Sequence, residues 1–241
     1  MDLAENLAAV RRQIDQACDC AGRDPAEVQL LAVSKGHPAN AIAELVRAGQ
    51  LDFGESKVQE AKAKIPLCPS SARWEMIGHL QTNKARDAVH LFPVIQSVDS
   101  LRLAEELNKQ ADKAAKTIRI LLEINVVGES SKFGYSPSAV LADLQSLNQL
   151  RRLEIHGLMT IAPWSQDPER ARPVFRKLAE LRKQCEDALG APLPVLSMGM
   201  SGDLGPAIQE GSTQVRVGTS LFGRRTYAKF GQQPDVAGEL E

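Results

Sequence analysis

The sequence predicts an α/β fold: a single (β/α)8 TIM barrel with an extra N-terminal helix. Three observations predict it. Eight short apolar runs alternate with amphipathic stretches along the chain. Several of those runs are apolar and β-branched at consecutive positions, as a strand covered on both faces must be. The chain has 241 residues, close to the usual size of such a barrel. Strand–helix alternation implies a parallel sheet. A doubly wound open sheet is the competing architecture, but it normally carries a Gly-rich turn after its first strand. The stretch VQLLAVSKGHP has none.

The elements follow in order. Residues 2–19 place Leu3, Leu7, Val10, Ile14 and Ala17 on one helical stripe. The strand runs are expected at 28–34, 51–55, 73–78, 92–98, 118–126, 153–161, 193–200 and 213–220. Between them, Ile42, Leu45 and Val46 form a helical face with Gly49 as its stop. Leu101, Ala104, Leu107 and Ala111 line another. Ser136-Pro137 and Asp167-Pro168 each read as an N-cap with proline at the first helical position. Val174, Leu178, Leu181 and Cys185 then continue a stripe. Gly205-Pro206 restricts the helix after the seventh strand, because proline is tolerated only in a first turn. No linker or low-complexity tract divides the chain. One domain over 1–230 is expected, with 231–241 as a disordered tail.

Composition narrows the function classes. Lys and Arg number 29 against 30 Asp and Glu, for a net charge of −1. That balance gives no case for nucleic acid or an anionic membrane as partner. Aromatics are 4%, too few for a base-stacking platform. No apolar run reaches the roughly 18 residues of a spanning helix, and the N-terminus lacks a secretory pattern. Cys18, Cys20, Cys68 and Cys185 show no paired metal spacing. They read as reduced thiols of a cytoplasmic protein without a metal site.

The chemistry begins at Lys35. In a barrel, side chains at the C-terminal strand ends face the mouth where active sites form. A lysine leaving a strand there is either solvated or a nucleophile, and the second reading needs a partner that wants an amine. A desolvated lysine can form a Schiff base with an aldehyde. Pyridoxal 5′-phosphate (PLP) is the commonest such aldehyde among cofactors; it also brings a phosphate and a pyridine nitrogen. Phosphate sites in these barrels often use the loops after strands seven and eight. Ser201 and Gly202 stand at the first of these exits, and Gly218, Thr219 and Ser220 at the second. Plain turn chemistry would use the same residues. Arg216 shares a strand face with Gly218 and would point into the mouth rather than lie buried and unpaired under the helices. There it would face a pyridine nitrogen, or pair with a strand-end carboxylate such as Glu55.

The segments AVSKGHP, FGESKVQE, WEMIGHLQTNKAR, SVDS, SSKFG, GLMTI, MGMSGD and GSTQVRVGTSLFGRR, in this order, resemble the pyridoxal phosphate homeostasis protein family. Its members are single-domain PLP-carrying barrels related to the N-terminal half of bacterial alanine racemases. The resemblance implies that Lys35 holds PLP as an internal aldimine. It implies that Ser201, Gly218 and Thr219 hold the phosphate, that Arg216 faces the pyridine nitrogen and that Met159 lies near the ring. Ser56 stands where the family usually has a cofactor-side asparagine, and it reaches less far. Glu75, Met76 and His79 replace the family's histidine, phenylalanine and proline.

The implied role is PLP (vitamin B6) homeostasis and amino and keto acid balance without established turnover. The partners would be PLP and PLP-requiring apoenzymes, and the protein a cytoplasmic monomer. A slow PLP-dependent amino acid racemase is the alternative, and a phosphosugar barrel enzyme using Lys35 without PLP is a third reading. Tyr135 is the one tyrosine expected near the mouth. His37 reads as a surface residue, His79 as a strand-end residue facing the site and His156 as packing. Lys132 reads as solvated, and Lys84 and Arg86 as a second site for PLP or phosphate.

Overall fold

A computed structural model describes residues 2–129 and 132–223; the expected tail over 231–241 lies outside them, as does Tyr227. The elements run α1 (Leu3–Ala21), β1 (Gln29–Val33), α2 (Ala39–Arg47), β2 (Asp52–Glu55), α3 (Val58–Lys64), β3 (Arg73–Met76), α4 (Ala85–Leu91), β4 (Val94–Val98), α5 (Leu101–Lys113), β5 (Ile118–Glu123), α6 (Pro137–Asn148), β6 (Leu153–Met159), α7 (Arg172–Leu189), β7 (Val195–Met200), α8 (Leu204–Gln209), β8 (Gln214–Val217) and α9 (Thr219–Phe222). The strands form a closed barrel in sequence order. Closure pairs β1 with β8 in parallel, Gln29 opposite Gln214 and Ala32 opposite Val217. The (β/α)8 barrel is therefore present, and α1 is the extra N-terminal helix.

Each strand is shorter than the run expected for it, because residues of the run continue into the flanking loops. Ile124, for example, continues past β5 to bridge to Tyr135. Capping follows the sequence closely. Asp2 accepts from the N–H groups of Ala4 and Glu5 at the start of α1, and Gly22 ends it in the left-handed region. Ser136 Oγ accepts from Ala139 N–H at the start of α6. Asp167 caps a short 3-10 turn over Pro168–Ala171 that leads into α7. Pro206 is the third residue of α8, inside the first turn.

The apolar stripe of α1 is buried at Leu3, Leu7, Val10, Ile14 and Ala17. Each buried leucine, valine or isoleucine of that stripe stabilises by about 1.5–3 kcal/mol. The α1 segment also ties down both ends of β8, its exit through Asn6 and its entry through Arg23. Asn6 Nδ2 donates to Leu221 C=O at 2.9 Å. Arg23, just beyond α1, donates to Ile208 and Ser212 C=O at 2.8 and 2.7 Å.

The strands divide two interiors. Leu30 and Ala32 belong to the apolar layer under the helices, with Phe53, Leu122 and Leu196; Leu31 and Val33 point along the barrel axis instead. Barrel axes are usually filled by branched aliphatic side chains. This one is partly polar: Glu75, Gln96, Glu123, Ser197, Gln214 and Arg216 are all buried in it. No helix among the described residues is long and apolar enough to cross a membrane. All four cysteines are free thiols.

Candidate functional site

The turn that follows β1 carries Lys35. The strand itself ends at Val33, so the lysine sits two residues beyond it, half-buried. His37 N–H donates to Ser34 C=O at 3.1 Å and closes the turn, with Gly36 at a φ of 77°. His37 is not the surface residue expected. It is 9% exposed and stacks on Phe222, ring centroids 4.5 Å apart, because α9 folds back over the turn.

Opposite this turn lies the end of β8. Register places Gly218 beside Val33, and a Cβ built on Gly218 would lie 3.4 Å from both the Cβ and the carbonyl oxygen of Val33. The β8 exit thus lies at ordinary contact distance from the strand that leads to Lys35. Thr219 and Ser220 open α9 rather than extend the strand. Ser201, in the turn after β7, accepts from Ser220 N–H at 3.4 Å. The exits of β7, β8 and β1 therefore meet at one side of the mouth.

Arg216 is 4% exposed and lies inside the barrel. It donates through Nη1 to Ser197 Oγ at 2.8 Å and through Nη2 to Thr160 C=O at 2.7 Å. Burial pushes its guanidinium down to about 10, opposed by Glu123, Asp203 and Glu75, so it remains a cation at neutral pH. It does not pair with Glu55, which points the other way. In-register pairing of Glu123 with Met159 and of Met159 with Ser197 puts those three side chains on the same inner face as Arg216. Met159 is fully buried there. Ser56 is on the other side of the mouth, half-buried after β2. Gly78 packs on it so closely that a Cβ would come within 2.3 Å of Ser56 C=O, a physical reason for the glycine in IGHLQ. Ser56 lines a recess of about 220 Å³ with Met76, His79 and Lys84.

Three groups of polar residues were not recognised as groups from the sequence, although Glu55 and Glu75 were each named there. Glu123 closes β5 at 9% exposure, with Oε2 lacking a hydrogen-bond partner among the described residues. Burial pushes its carboxyl up to about 7, helped by Asp99 and opposed by Arg216. Below Arg216, Ser197 Oγ donates to Gln96 Oε1 at 2.7 Å, and Gln96 Nε2 donates to Glu75 Oε2 and to Gln214 Oε1. Beside the Lys35 turn, Glu55, Glu60 and Lys64 form a buried ion cluster. The available signal was a polar residue inside an apolar strand run, in RWEM, VIQSV and LLEI, since a buried polar group must find partners.

Other expected residues fall away from the mouth centre. Tyr135 is 5% exposed within the apolar helix layer, where burial and then Asp143 push its phenol upward. It therefore faces α6, not the mouth. His79 Nδ1 lies 3.0 Å from Asp99 Oδ2, and its ring stacks on Phe133. Lys132 pairs with Glu129 at 2.9 Å, and Arg86 lies 3.5 Å from Asp87. His156 lines a cavity of about 500 Å³ at the opposite, N-terminal end of the barrel, with Gln29, Glu75 and Arg119.

The family described as alanine racemase, N-terminal domain, matches residues 6–226. The pyridoxal phosphate homeostasis protein of Pseudomonas aeruginosa is 42% identical over 226 residues, covering 93% of this chain and 96% of that one. The protein of the same name from Aquifex aeolicus is 40% identical, covering 94% of this chain and 100% of its own. Among solved structures, PipY of Synechococcus elongatus with PLP bound is 40% identical at a TM-score of 0.81, covering 92% of this chain and all of its own. An alanine racemase of Clostridium difficile shares the fold at a TM-score of 0.69 and 17% identity. By sequence and by fold alike, the chain belongs to the pyridoxal phosphate homeostasis protein family, whose barrel is that of the alanine racemase N-terminal domain.

Proposed function

We propose that the chain binds pyridoxal 5′-phosphate at the barrel mouth and serves its homeostasis as a carrier or regulator. Lys35 would supply the amine. Ser201, Gly218 and Thr219 would hold the phosphate, Arg216 would face the ring nitrogen, and Met159 and Ser56 would flank the ring. When bound, the cofactor supplies an aldehyde carbon that an amine can attack and a ring that withdraws electrons. A relative of 40% identity contains PLP.

The observation that carries the reading is the seam between β1 and β8. It sets Gly218 beside Val33, two residues before Lys35, so that the β8 exit and the Lys35 turn share one edge of the mouth. The mouth also offers a buried cation in Arg216 and a buried carboxylate oxygen in Glu123 without a hydrogen-bond partner among the described residues. Both fit a ligand that is anionic at one end and carries a nitrogen heterocycle. Arg216, which remains a donor at neutral pH, would hold that nitrogen unprotonated and so weaken the ring as an electron sink. Tyr135 favours a carrier over a racemase, because its hydroxyl is buried away from the mouth and offers no base there. The reading carries with it a cytoplasmic monomer that exchanges PLP with PLP-requiring apoenzymes.

Purified protein is treated with borohydride, digested and searched for the pyridoxyl group. The expected label is on Lys35, and a label on another lysine would overturn the assignment. Steady turnover of any amino acid above that of free PLP would favour the racemase instead.

A further inference from the structure

Lys64 is a lysine with 2% exposure, at the C-terminal end of α3. Its Nζ donates to Ser34 C=O at 2.8 Å, to Glu55 Oε1 at 2.7 Å and to Glu60 Oε1 at 2.7 Å. Ser34 Oγ donates to the same Glu55 oxygen at 2.7 Å. The Glu60 oxygen that holds Lys64 also accepts from Gly36 N–H at 2.6 Å. Ser34 and Gly36 are the two neighbours of Lys35 in the chain. The cluster therefore grips the backbone immediately before and immediately after Lys35.

A buried cluster of this kind is a poor device for stability alone, because taking the charges out of water offsets most of their attraction. This one still leaves Glu55 Oε2 without a hydrogen-bond partner among the described residues. Burial pushes the Glu55 carboxyl up against the pull of Lys64. Burial acts the same way on Glu60, but Lys64 and the Gly36 amide outweigh it and hold that carboxyl low. Glu60 is thus an anion at neutral pH, fixed between an ammonium and a backbone amide.

We propose that Glu60, Lys64 and Glu55 are positioning residues: they fix the turn that aims the Lys35 amine into the mouth. This rests on the assignment of Lys35 as the amine that meets the cofactor aldehyde. In that condensation the Nζ lone pair attacks the aldehyde carbon, a C=N bond replaces C=O, and one water leaves carrying the oxygen. The amine must reach the carbon along one direction, so a turn free to rock would slow the step. Small misplacements of reacting groups cost rate steeply.

The test uses Glu60→Ala, which removes the Gly36 acceptor but leaves Lys64 with Glu55 and Ser34. Glu60→Gln serves as the conservative variant, since its side-chain oxygen still accepts. Three quantities are compared with wild type: hydrogen exchange at the Gly36 amide in the cofactor-free protein, the rate of C=N bond formation with PLP, and the affinity for pyridoxamine 5′-phosphate, which has no aldehyde. In Glu60→Ala we expect faster exchange at Gly36, bond formation slowed about tenfold and unchanged pyridoxamine phosphate affinity. Glu60→Gln should restore most of the rate and the protection.

Wild-type bond formation in Glu60→Ala would overturn the proposal, as would an equal loss in rate and in pyridoxamine phosphate affinity. Should Glu60→Ala not fold, Ser34→Ala, which removes only the hydroxyl link to Glu55, is read by the same three measurements and should show the same pattern in weaker form. A borohydride label away from Lys35 in wild type would remove the cofactor assignment instead, while exchange at Gly36 would still report whether the cluster holds the turn.

Discussion

At the floor of the barrel both oxygens of Glu75 accept hydrogen bonds, from Gln96 and Gln214, and Gln214 reaches on to Gln29. At the mouth Glu123 is buried to a similar degree, yet one of its oxygens has no hydrogen-bond partner among the described residues. The same residue type thus meets two fates within one barrel. Buried polar groups that are fully satisfied hold a unique core, whereas an unsatisfied one is costly and persists where something else requires it. The floor is satisfied within itself, whereas the mouth holds a buried carboxyl oxygen that is not. Arg216 stands between them, held from below through Ser197 and Gln96.

The sharpest way to break this comparison is at the ion cluster beside the mouth. Lys64→Met would leave the buried Glu55 and the half-buried Glu60 without their cation, and losing one partner of a buried ion pair costs about 3–5 kcal/mol. Urea unfolding of the cofactor-free protein measures it. A loss no larger than that of an exposed ion pair would mean that water reaches the cluster, and the distinction between buried and rim charges would fail.

Gln96→Leu probes the column that joins the two ends. It would leave Glu75, Gln214 and Ser197 each short of one partner, at about 3 kcal/mol in total, again by urea unfolding. The change should reach the mouth as well, because Ser197 loses its acceptor and Arg216 its support. A stability loss confined to the floor, with ligand affinity intact, would show that the column does not brace Arg216.

How much of this was legible in the sequence follows from the same physics. Strand and helix order was legible because burial on both faces leaves unbroken apolar runs, and caps such as Ser136-Pro137 mark where helices begin. The mouth residues were legible because small polar residues after a strand are unusual in pairs. His37 was misplaced because its burial depends on Phe222, 185 residues away, and no local pattern carries that contact. Glu55 and Lys64 were missed as a pair for a related reason. Strand alternation places Glu55 toward the helices, but only the packing of α3 shows that Lys64 is there to meet it.

The third test concerns pH. Glu123 is held up to about 7 from an ordinary value of 4.5 by burial and by Asp99. Between those values the folded chain binds a proton that the unfolded chain has lost, so stability falls as pH rises and levels off above about 7. The shift corresponds to at most ~3 kcal/mol. Glu123→Gln should remove this decline, so thermal melts of the cofactor-free variant would gain on wild type from acid to neutral pH. A decline that persists in the variant would assign the titration to another buried carboxyl, with Glu55 and Glu75, both also raised by burial, as the next to test.

The smallest effect is expected at the rim of the floor, where geometry alone would suggest a large one. Arg73 donates through Nε and Nη2 to the two oxygens of Asp52, both at 2.6 Å, the fork geometry that suits a carboxylate best. Yet the Arg73 side chain is 62% exposed, so water competes for every one of its donors. Arg73→Ala should cost less than ~1 kcal/mol, and the cost should shrink further near ~1 M salt, where the screening length is ~3 Å. Lys64 makes bonds of similar length at 1% side-chain exposure and is expected to cost several times more. Distance is nearly constant between the two pairs, so burial is the variable under test. Equal losses would mean that hydrogen-bond geometry sets the energy of a charge in this barrel. Unequal losses in the stated direction would mean that access to water sets it, which is the distinction on which the contrast between mouth and floor depends.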